Sequence, residues 1–167
     1  MSNITVGFST SSDWISRAIR WITRSRVSHA WLCLEWYGML FIIHATVGGV
    51  KVTPRSKWES GHNKIVGEFR PKADVTEGVK HALSFLDEEY DYVGILGYIF
   101  VVFWKRWFNK KIKNILARPN AMVCSEFLVH LADKGGIPEW RELDPERTTP
   151  KDLLEICEKE HSFERVL

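Results

Sequence analysis

Cys124 is the residue of this chain with the clearest chemical potential. Apolar residues follow it at the i+3, i+4 and i+7 spacing of one helical face: Phe127, Leu128 and Leu131. The free amide groups and the dipole of a helix N-terminus favour an anion. The pattern therefore predicts a thiol at a helix start, with a lowered pKa and an enlarged thiolate fraction. A cysteine on an apolar stripe is also an ordinary core residue, so a function requires a base.

Two histidines on one predicted hairpin are the candidates for that base. Runs rich in β-formers flank Tyr37 and Gly38, which predicts two antiparallel strands joined by a two-residue loop. With that loop length, His29 and His44 occupy diagonal positions on one face. Diagonal positions are about 7 to 8 Å apart at the backbone, within reach of two imidazoles. An odd number of loop residues would put the two side chains on opposite faces.

Cys124, His29 and His44 together make up the parts of a papain-type thiol hydrolase. Such an enzyme needs a cysteine at a helix start, a histidine from a neighbouring sheet and a polar residue that orients the histidine. A lone histidine is more often structural than catalytic, but the shared hairpin face favours the joint interpretation. A zinc site built from the same three residues is an alternative, although the sequence has no paired ligand spacing.

The elements that must position these residues form an α+β pattern. The predicted strands are 4–8, the two hairpin arms, 50–53 and 64–70, with prolines ending the last two. Helix-start signals stand at Ser11-Ser12-Asp13, at Asp74 with Glu77, and at Thr149-Pro150. Gly135-Gly136 predicts a left-handed cap that ends the cysteine helix. We see no repeat, low-complexity tract or linker, and expect a single domain over residues 1–167.

The first predicted helix has one apolar and one basic face. We expect its apolar stripe to pack on the core of the domain, which is a simpler explanation than a membrane surface. That stripe consists of Trp14, Ile15, Ala18, Ile19 and Ile22. The other face carries Arg17, Arg20 and Arg24.

Composition sets the class of protein. The chain has 167 residues, with 45% hydrophobic and 26% charged residues, which is ordinary for one globular domain. Three cysteines without a CxxC pair argue against a disulfide framework or a four-cysteine zinc site and fit a reducing compartment. No secretory signal is visible at the N-terminus, so a cytoplasmic location is favoured.

The charge is small in total but uneven along the chain. The net charge is +2, yet residues 1–72 hold ten Lys or Arg against four Asp or Glu, and residues 105–118 hold six basic residues without an acid. These zones indicate contact with an anionic polymer or a membrane surface, or else simply solvated basic faces, and no specific nucleic acid is expected. The residues concerned are Arg17, Arg20, Arg24, Lys105, Arg106, Lys110 and Lys111.

The most apolar stretch of the chain is residues 92–104. Thirteen residues as a helix would cover only about 20 Å of the roughly 30 Å hydrocarbon core of a bilayer, so a membrane span is not expected. The stretch is interpreted as a buried helix with a basic end, and an interfacial segment or a cover for a lipid-like substrate are the alternatives.

The order of these segments resembles the circularly permuted papain-like hydrolases related to the NlpC-type cell-wall peptidases, including the YiiX-like group and, more distantly, lecithin retinol acyltransferase. The resembling segments are Ser28-His29-Ala30, Phe41-Ile42-Ile43-His44-Ala45 with Gly49-Val50, Tyr90-Asp91, Val123-Cys124-Ser125-Glu126 and Thr149-Pro150. They spread over most of the chain.

The resemblance implies a role for each matching residue. Cys124 corresponds to the nucleophile, whose own amide contributes to the oxyanion hole, and His29 to the general base. His44 stands at the position of the orienting polar residue, where YiiX-like proteins often have glutamate and NlpC-type peptidases often have histidine. Tyr90 corresponds to a tyrosine near the oxyanion site, with Tyr92 as an alternative. Residues 92–118 resemble an insertion in the connection between that tyrosine and the nucleophile.

These observations predict an α+β, papain-like core of the permuted NlpC type, in which an antiparallel sheet packs against the helix that carries the cysteine. The expected activity is hydrolysis of an amide bond through a thioacyl-enzyme intermediate, by a peptidase or amidase for which a cell-wall peptide is one candidate substrate. No cofactor or metal is expected. The alternatives are a lipid-directed thiol acyltransferase or esterase, and a binding module that has kept the fold without the activity.

Overall fold

The computed structural model describes residues 4–46, 49–84, 124–145 and 147–167. The expectations for Tyr90, Tyr92 and the 92–118 insertion fall outside these ranges. Within them the protein has α+β architecture, as predicted, with helices packed on one antiparallel sheet.

The described residues form a six-stranded sheet in the order β4-β3-β2-β1-β5-β6. All five neighbouring pairs are antiparallel. The strands are β1 (Ile4–Ser11), β2 (His29–Trp36), β3 (Met39–Thr46), β4 (Gly49–Pro54), β5 (Asn63–Pro71) and β6 (Phe163–Arg165). The predicted strands are confirmed, and most are slightly longer than their apolar runs.

The hairpin of β2 and β3 has the predicted loop of two residues. Tyr37 and Gly38 both have positive φ, 49° and 74°, which is the conformation of a primed turn that matches the twist of the two strands. Pairing runs from Trp36↔Met39 to Leu32↔Ile43. The predicted register is therefore confirmed.

The two faces of the sheet carry different cores. The larger core holds one alternating set of strand residues together with the helix that begins at Cys124, and includes Val6, Phe8, Ala30, Leu32 and Ile43. The smaller one lies on the opposite face and consists of Trp31, Cys33, Ile42 and Trp58, with Ile65 against it. Its residues alternate with those of the larger core along β2 and β3. The alternation of β2 therefore places His29 on the face of the smaller core.

The helices within the described residues are α1 (Trp14–Thr23), α2 (Arg55–Glu59), α3 (Thr76–Leu83), α4 (Cys124–Lys134), α5 (Pro138–Arg141) and α6 (Pro150–Lys159). Two predicted starts are confirmed by their caps. The Asp13 carboxylate accepts the N–H of Ser16 at 2.7 Å. Thr149 and Asp152 form a capping box at the start of α6.

Two helix ends differ from the prediction. Helix α3 has Val75 rather than Asp74 at its N-cap, because Asp74 closes a local turn by accepting the Thr76 N–H at 2.9 Å. Helix α4 does end before Gly135, but neither glycine there has the expected positive φ. Instead the Gly136 N–H donates to the Asp74 carbonyl oxygen at 3.2 Å. A tertiary contact thus takes the place of a left-handed cap.

Helix α4 packs on strands β2 and β3 and beside α3. Phe127, Leu128 and Leu131 are fully buried, as their spacing predicts. Gly78 of α3 permits the close approach of the two helices, because a Cβ there would come within 2.1 Å of the Leu131 carbonyl oxygen. This packing holds Cys124 at the end of α4 that faces β2.

Candidate active site

The two histidines of the hairpin form a direct pair. His29 Nε2 lies 3.1 Å from His44 Nδ1, and the rings meet edge to face with centroids 5.4 Å apart. Both side chains are half-buried. The pair arises from the loop parity and the diagonal position across the two strands, so the geometric prediction from the sequence is confirmed.

Both imidazoles are held in the neutral form near neutral pH. Burial, followed by the neighbouring His44, lowers the pKa of His29 to about 3, although Asp13 acts in the opposite direction. Burial also lowers the pKa of His44 to about 4, with a contribution from Lys51, which pairs with His44 across β3 and β4. A positive charge on either ring is therefore unfavourable while the site is closed to solvent.

Thr53 extends the pair into a chain of three polar groups. Its Oγ1 lies 3.4 Å from His44 Nε2, on the side of the ring away from His29. Trp58 of α2 lies beside His44, with ring centroids 6.5 Å apart, and covers it from the face of the smaller core. The remaining nitrogen, His29 Nδ1, makes no hydrogen bond with any residue that the structure describes.

The Cys124 side chain is buried at the first residue of α4, with 6% of its surface exposed. The backbone N–H groups of Ala30, Ser125 and Cys124 itself lie near the sulfur. These donors favour the thiolate, but burial outweighs them and raises the pKa of the Cys124 thiol. The predicted lowering of this pKa is therefore wrong, because desolvation exceeds the effect of the helix terminus.

The thiol and the histidine pair approach the start of β2 from opposite faces of the sheet. The sulfur contacts the N–H of Ala30, the residue that follows His29, whereas the His29 ring lies on the face of Trp31. Among the described residues no hydrogen bond joins His29 to Cys124. The structure thus brings the two histidines together and places the thiol beside the backbone that carries one of them.

Two residues of the site were not singled out from the sequence. Thr53 is a β-strand residue whose role follows only from its position two strands away from His29. Asp13 was recognised as a helix cap but not as the acid nearest to the pair, where it favours the charged form of His29. Helix α1 comes against β2 at the same place, because Ser16 Oγ lies 2.5 Å from Ser28 Oγ. No sequence signal marks either role.

The other cysteines show what distinguishes Cys124. All three are buried, and burial raises the pKa of Cys33 and of Cys157 as well. Cys33 lies in the smaller core near the ion pair of Arg55 with Glu68. Cys157 lies within α6. Of the three, Cys124 alone begins a helix.

The described residues include no group of three or more His, Cys, Asp or Glu side chains arranged to hold a metal ion. The alternative of a zinc site at His29, His44 and Cys124 thus gains no support. Within the same residues, no helix is both long and apolar enough to cross a bilayer.

No protein-family model matches the sequence. No curated protein matches it either. The site therefore has to be interpreted from its own residues and their geometry.

Proposed function

We propose that this protein is a thiol hydrolase with a papain-like core of the permuted NlpC type. Cys124 is the nucleophile, His29 the general base and His44 the residue that orients His29. The observation that carries the proposal is the 3.1 Å contact of His29 Nε2 with His44 Nδ1 at the start of β2, the strand on whose other face the helix that begins with Cys124 packs. The antiparallel sheet that packs against that helix supports the papain-like assignment.

The function determines the tautomers of the pair. His29 Nδ1 must be unprotonated to accept a proton, so His29 Nε2 carries the hydrogen and donates it to His44 Nδ1. His44 Nε2 then carries its own hydrogen and donates it to Thr53 Oγ1. When His29 takes a second proton, His44 continues to accept from Nε2–H and stabilises the imidazolium, as Asp13 does through its charge.

The resting site holds a neutral thiol and a neutral imidazole on opposite faces of the start of β2. The raised pKa of Cys124 and the lowered pKa of His29 both oppose a preformed thiolate and imidazolium pair. Proton transfer must therefore accompany attack on the substrate. The proposed mechanism therefore requires a rearrangement at the start of β2 on substrate binding that brings His29 Nδ1 within hydrogen-bond reach of the sulfur.

We propose an amide bond as the substrate. The sulfur attacks the carbonyl carbon, and the N–H groups at the start of α4 stabilise the oxyanion that forms. Imidazolium protonates the leaving amine as the carbon–nitrogen bond breaks. Water, deprotonated by His29, then attacks the thioacyl intermediate and releases the acid and the free thiol.

The nucleophile can be tested without a known substrate. The protein is mixed with p-nitrophenyl acetate, an activated ester that acylates reactive thiols, and the burst of p-nitrophenol is followed in a stopped-flow instrument. Peptide mapping by mass spectrometry then locates the acetyl group. We expect it on Cys124, and we expect the burst to vanish in Cys124→Ala but to persist in Cys33→Ala and Cys157→Ala.

Turnover of amides is tested next with a panel of peptide p-nitroanilides. A burst that survives in Cys124→Ala, or an acetyl group on Cys33 or Cys157, would overturn the assignment of the nucleophile. Acylation of Cys124 without hydrolysis of any peptide amide would instead favour an acyltransferase or an esterase.

A further inference from the structure

The solvent-facing side of α1 carries two large aromatic residues. Trp14 is 68% exposed and Trp21 is 66% exposed, whereas Ile22 of the same helix is buried. The predicted packing of Trp14 on the core is therefore wrong. One short helix thus presents two largely exposed indole rings.

The two tryptophans share one face with basic residues. They are seven residues apart, which is two helical turns, and Arg17 lies between them on the exposed side. Arg24 follows at the exposed C-cap. No Asp or Glu occurs from residue 14 to residue 34. We call Trp14, Arg17, Trp21 and Arg24 the Trp–Arg face.

The arginines of this face differ from their neighbours in the chain. Arg26 is paired with Glu158, and Arg20 donates to the Ser11 carbonyl oxygen at 3.4 Å. Arg17 and Arg24 form no ion pair with any residue in the part of the chain that the structure describes. Two positive charges thus remain available for a partner from outside.

We propose that the Trp–Arg face docks on the surface of an anionic lipid bilayer. Tryptophan prefers the boundary between headgroups and acyl chains, and arginine binds lipid phosphates from the same depth. A single-stranded nucleic acid could also stack on indole rings, but the sequence pI of about 8.4 is below the strongly basic range typical of such proteins. A membrane explains both residue types at once.

Docking through this face would bring to the membrane the helix that packs beside the candidate active site. The N-terminal end of α1 meets β2 where Ser16 contacts Ser28, the residue before His29. The proposal does not depend on thiol chemistry, because the Trp–Arg face would bind lipid whether or not Cys124 is a nucleophile. The sequence predicted that the basic zones contact an anionic polymer or a membrane surface. The proposal specifies α1 as the contacting helix and a membrane as the partner.

The test is cosedimentation of the full chain with vesicles at low salt. Vesicles of phosphatidylcholine alone are compared with vesicles that contain phosphatidylglycerol as well. We expect binding only to the anionic vesicles, weakened by added salt. Trp14→Ala with Trp21→Ala, and separately Arg17→Glu with Arg24→Glu, should each lower the partition coefficient by about tenfold or more.

Matched controls change the same residue types elsewhere. Trp36→Ala with Tyr37→Ala removes aromatic residues that are 61% and 88% exposed at the hairpin loop. Lys57→Glu with Lys72→Glu makes the same change in net charge at exposed positions outside α1. We expect both controls to bind as the unmodified protein does, and circular dichroism checks the folding of each variant.

A measurement without substitutions completes the test. Lipids brominated near the headgroup should quench part of the tryptophan fluorescence of the unmodified chain, because indole rings would lie at that depth. Absence of vesicle binding and of quenching at low salt would overturn the proposal. An equal loss of vesicle binding in the control variants would also overturn it. So would a protein that binds single-stranded DNA but not vesicles, if the same α1 substitutions abolish the DNA binding.

Discussion

The histidine pair and the thiol differ in what positions them: the local geometry of one hairpin positions the pair, and tertiary packing positions the thiol. The histidine pair results from the local geometry of the β2–β3 hairpin. Its two-residue loop and the two-residue period of its strands bring His29 Nε2 to 3.1 Å from His44 Nδ1. The thiol depends on a helix that comes from far along the chain and packs on the other face. Local geometry is thus sufficient to form the histidine pair, whereas burial by the tertiary fold opposes ionisation of the thiol.

The same contrast appears in the electrostatics. The pair has lost its charge to burial, with pKa values of about 3 and about 4, yet it keeps its hydrogen-bond geometry. The thiol has backbone N–H groups of β2 and of the start of α4 near it, and its pKa is nevertheless raised by burial. A favourable helix terminus is therefore not enough to activate a cysteine that is removed from water.

The largest expected effect comes from removing the base. His29→Ala should slow the acylation of Cys124 by p-nitrophenyl acetate by about 10²-fold to 10⁴-fold, the usual contribution of general base catalysis. The exposed His62 offers a matched control, and His62→Ala should leave the rate unchanged. Stopped-flow kinetics measure both. An unchanged rate in His29→Ala would mean that the pair and the thiol do not work together.

The pair should also make the protein sensitive to acid. Because the pKa of each histidine lies below its unfolded value of 6.5, the unfolded chain binds protons first, and stability falls as pH drops from 6.5 towards 4. At about pH 5 the loss is about 2 kcal/mol for each histidine. Urea unfolding at several pH values measures it. In His44→Asn the loss should be about half as large, and an unchanged slope would contradict the burial of the pair.

The thiol is tested by its rate of alkylation. With its pKa raised, Cys124 should react with iodoacetamide more slowly than a free cysteine at neutral pH, and its rate should still be rising above the pH at which a free thiol is fully ionised. Mass spectrometry of peptides gives the rate for each cysteine separately. Rapid alkylation at mildly acidic pH would instead indicate a thiolate and imidazolium pair. Cys124 would then be activated in the folded protein, contrary to the contrast between the thiol and the histidine pair.

The smallest effect is expected at the end of the polar chain. Thr53→Val keeps the shape of the side chain but leaves His44 Nε2 without its partner at 3.4 Å. Loss of one hydrogen bond of about 1 kcal/mol should slow acylation about fivefold through a weaker hold on His44. Thr5→Val is the control, because Thr5 is a buried threonine bonded to Glu68. Equal acylation rates in the two variants would mean that only His29 and His44, and not Thr53, contribute to the hydrogen-bonded chain.

Much of the fold follows from short-range patterns. Turn chemistry at Tyr37 and Gly38 sets the register of the hairpin, and capping residues such as Asp13 and Thr149 mark helix starts that the structure confirms. The failures have separate causes. Trp14 was expected in the core, but helical spacing does not tell which face a neighbouring element will cover. Asp74 was expected to cap α3, but its carboxylate closes a local turn with Thr76 instead.

The sequence by itself determined the histidine pair, because the contact between His29 and His44 depends on one loop length and on the two-residue period of β-strands. Only the tertiary structure decided the state of the thiol and the partners of the pair. Desolvation of Cys124 depends on what α4 packs against, and the contacts of Thr53 and Asp13 join segments that no local pattern relates. Burial is a property of the whole fold, and it controls the pKa values on which the proposed chemistry depends.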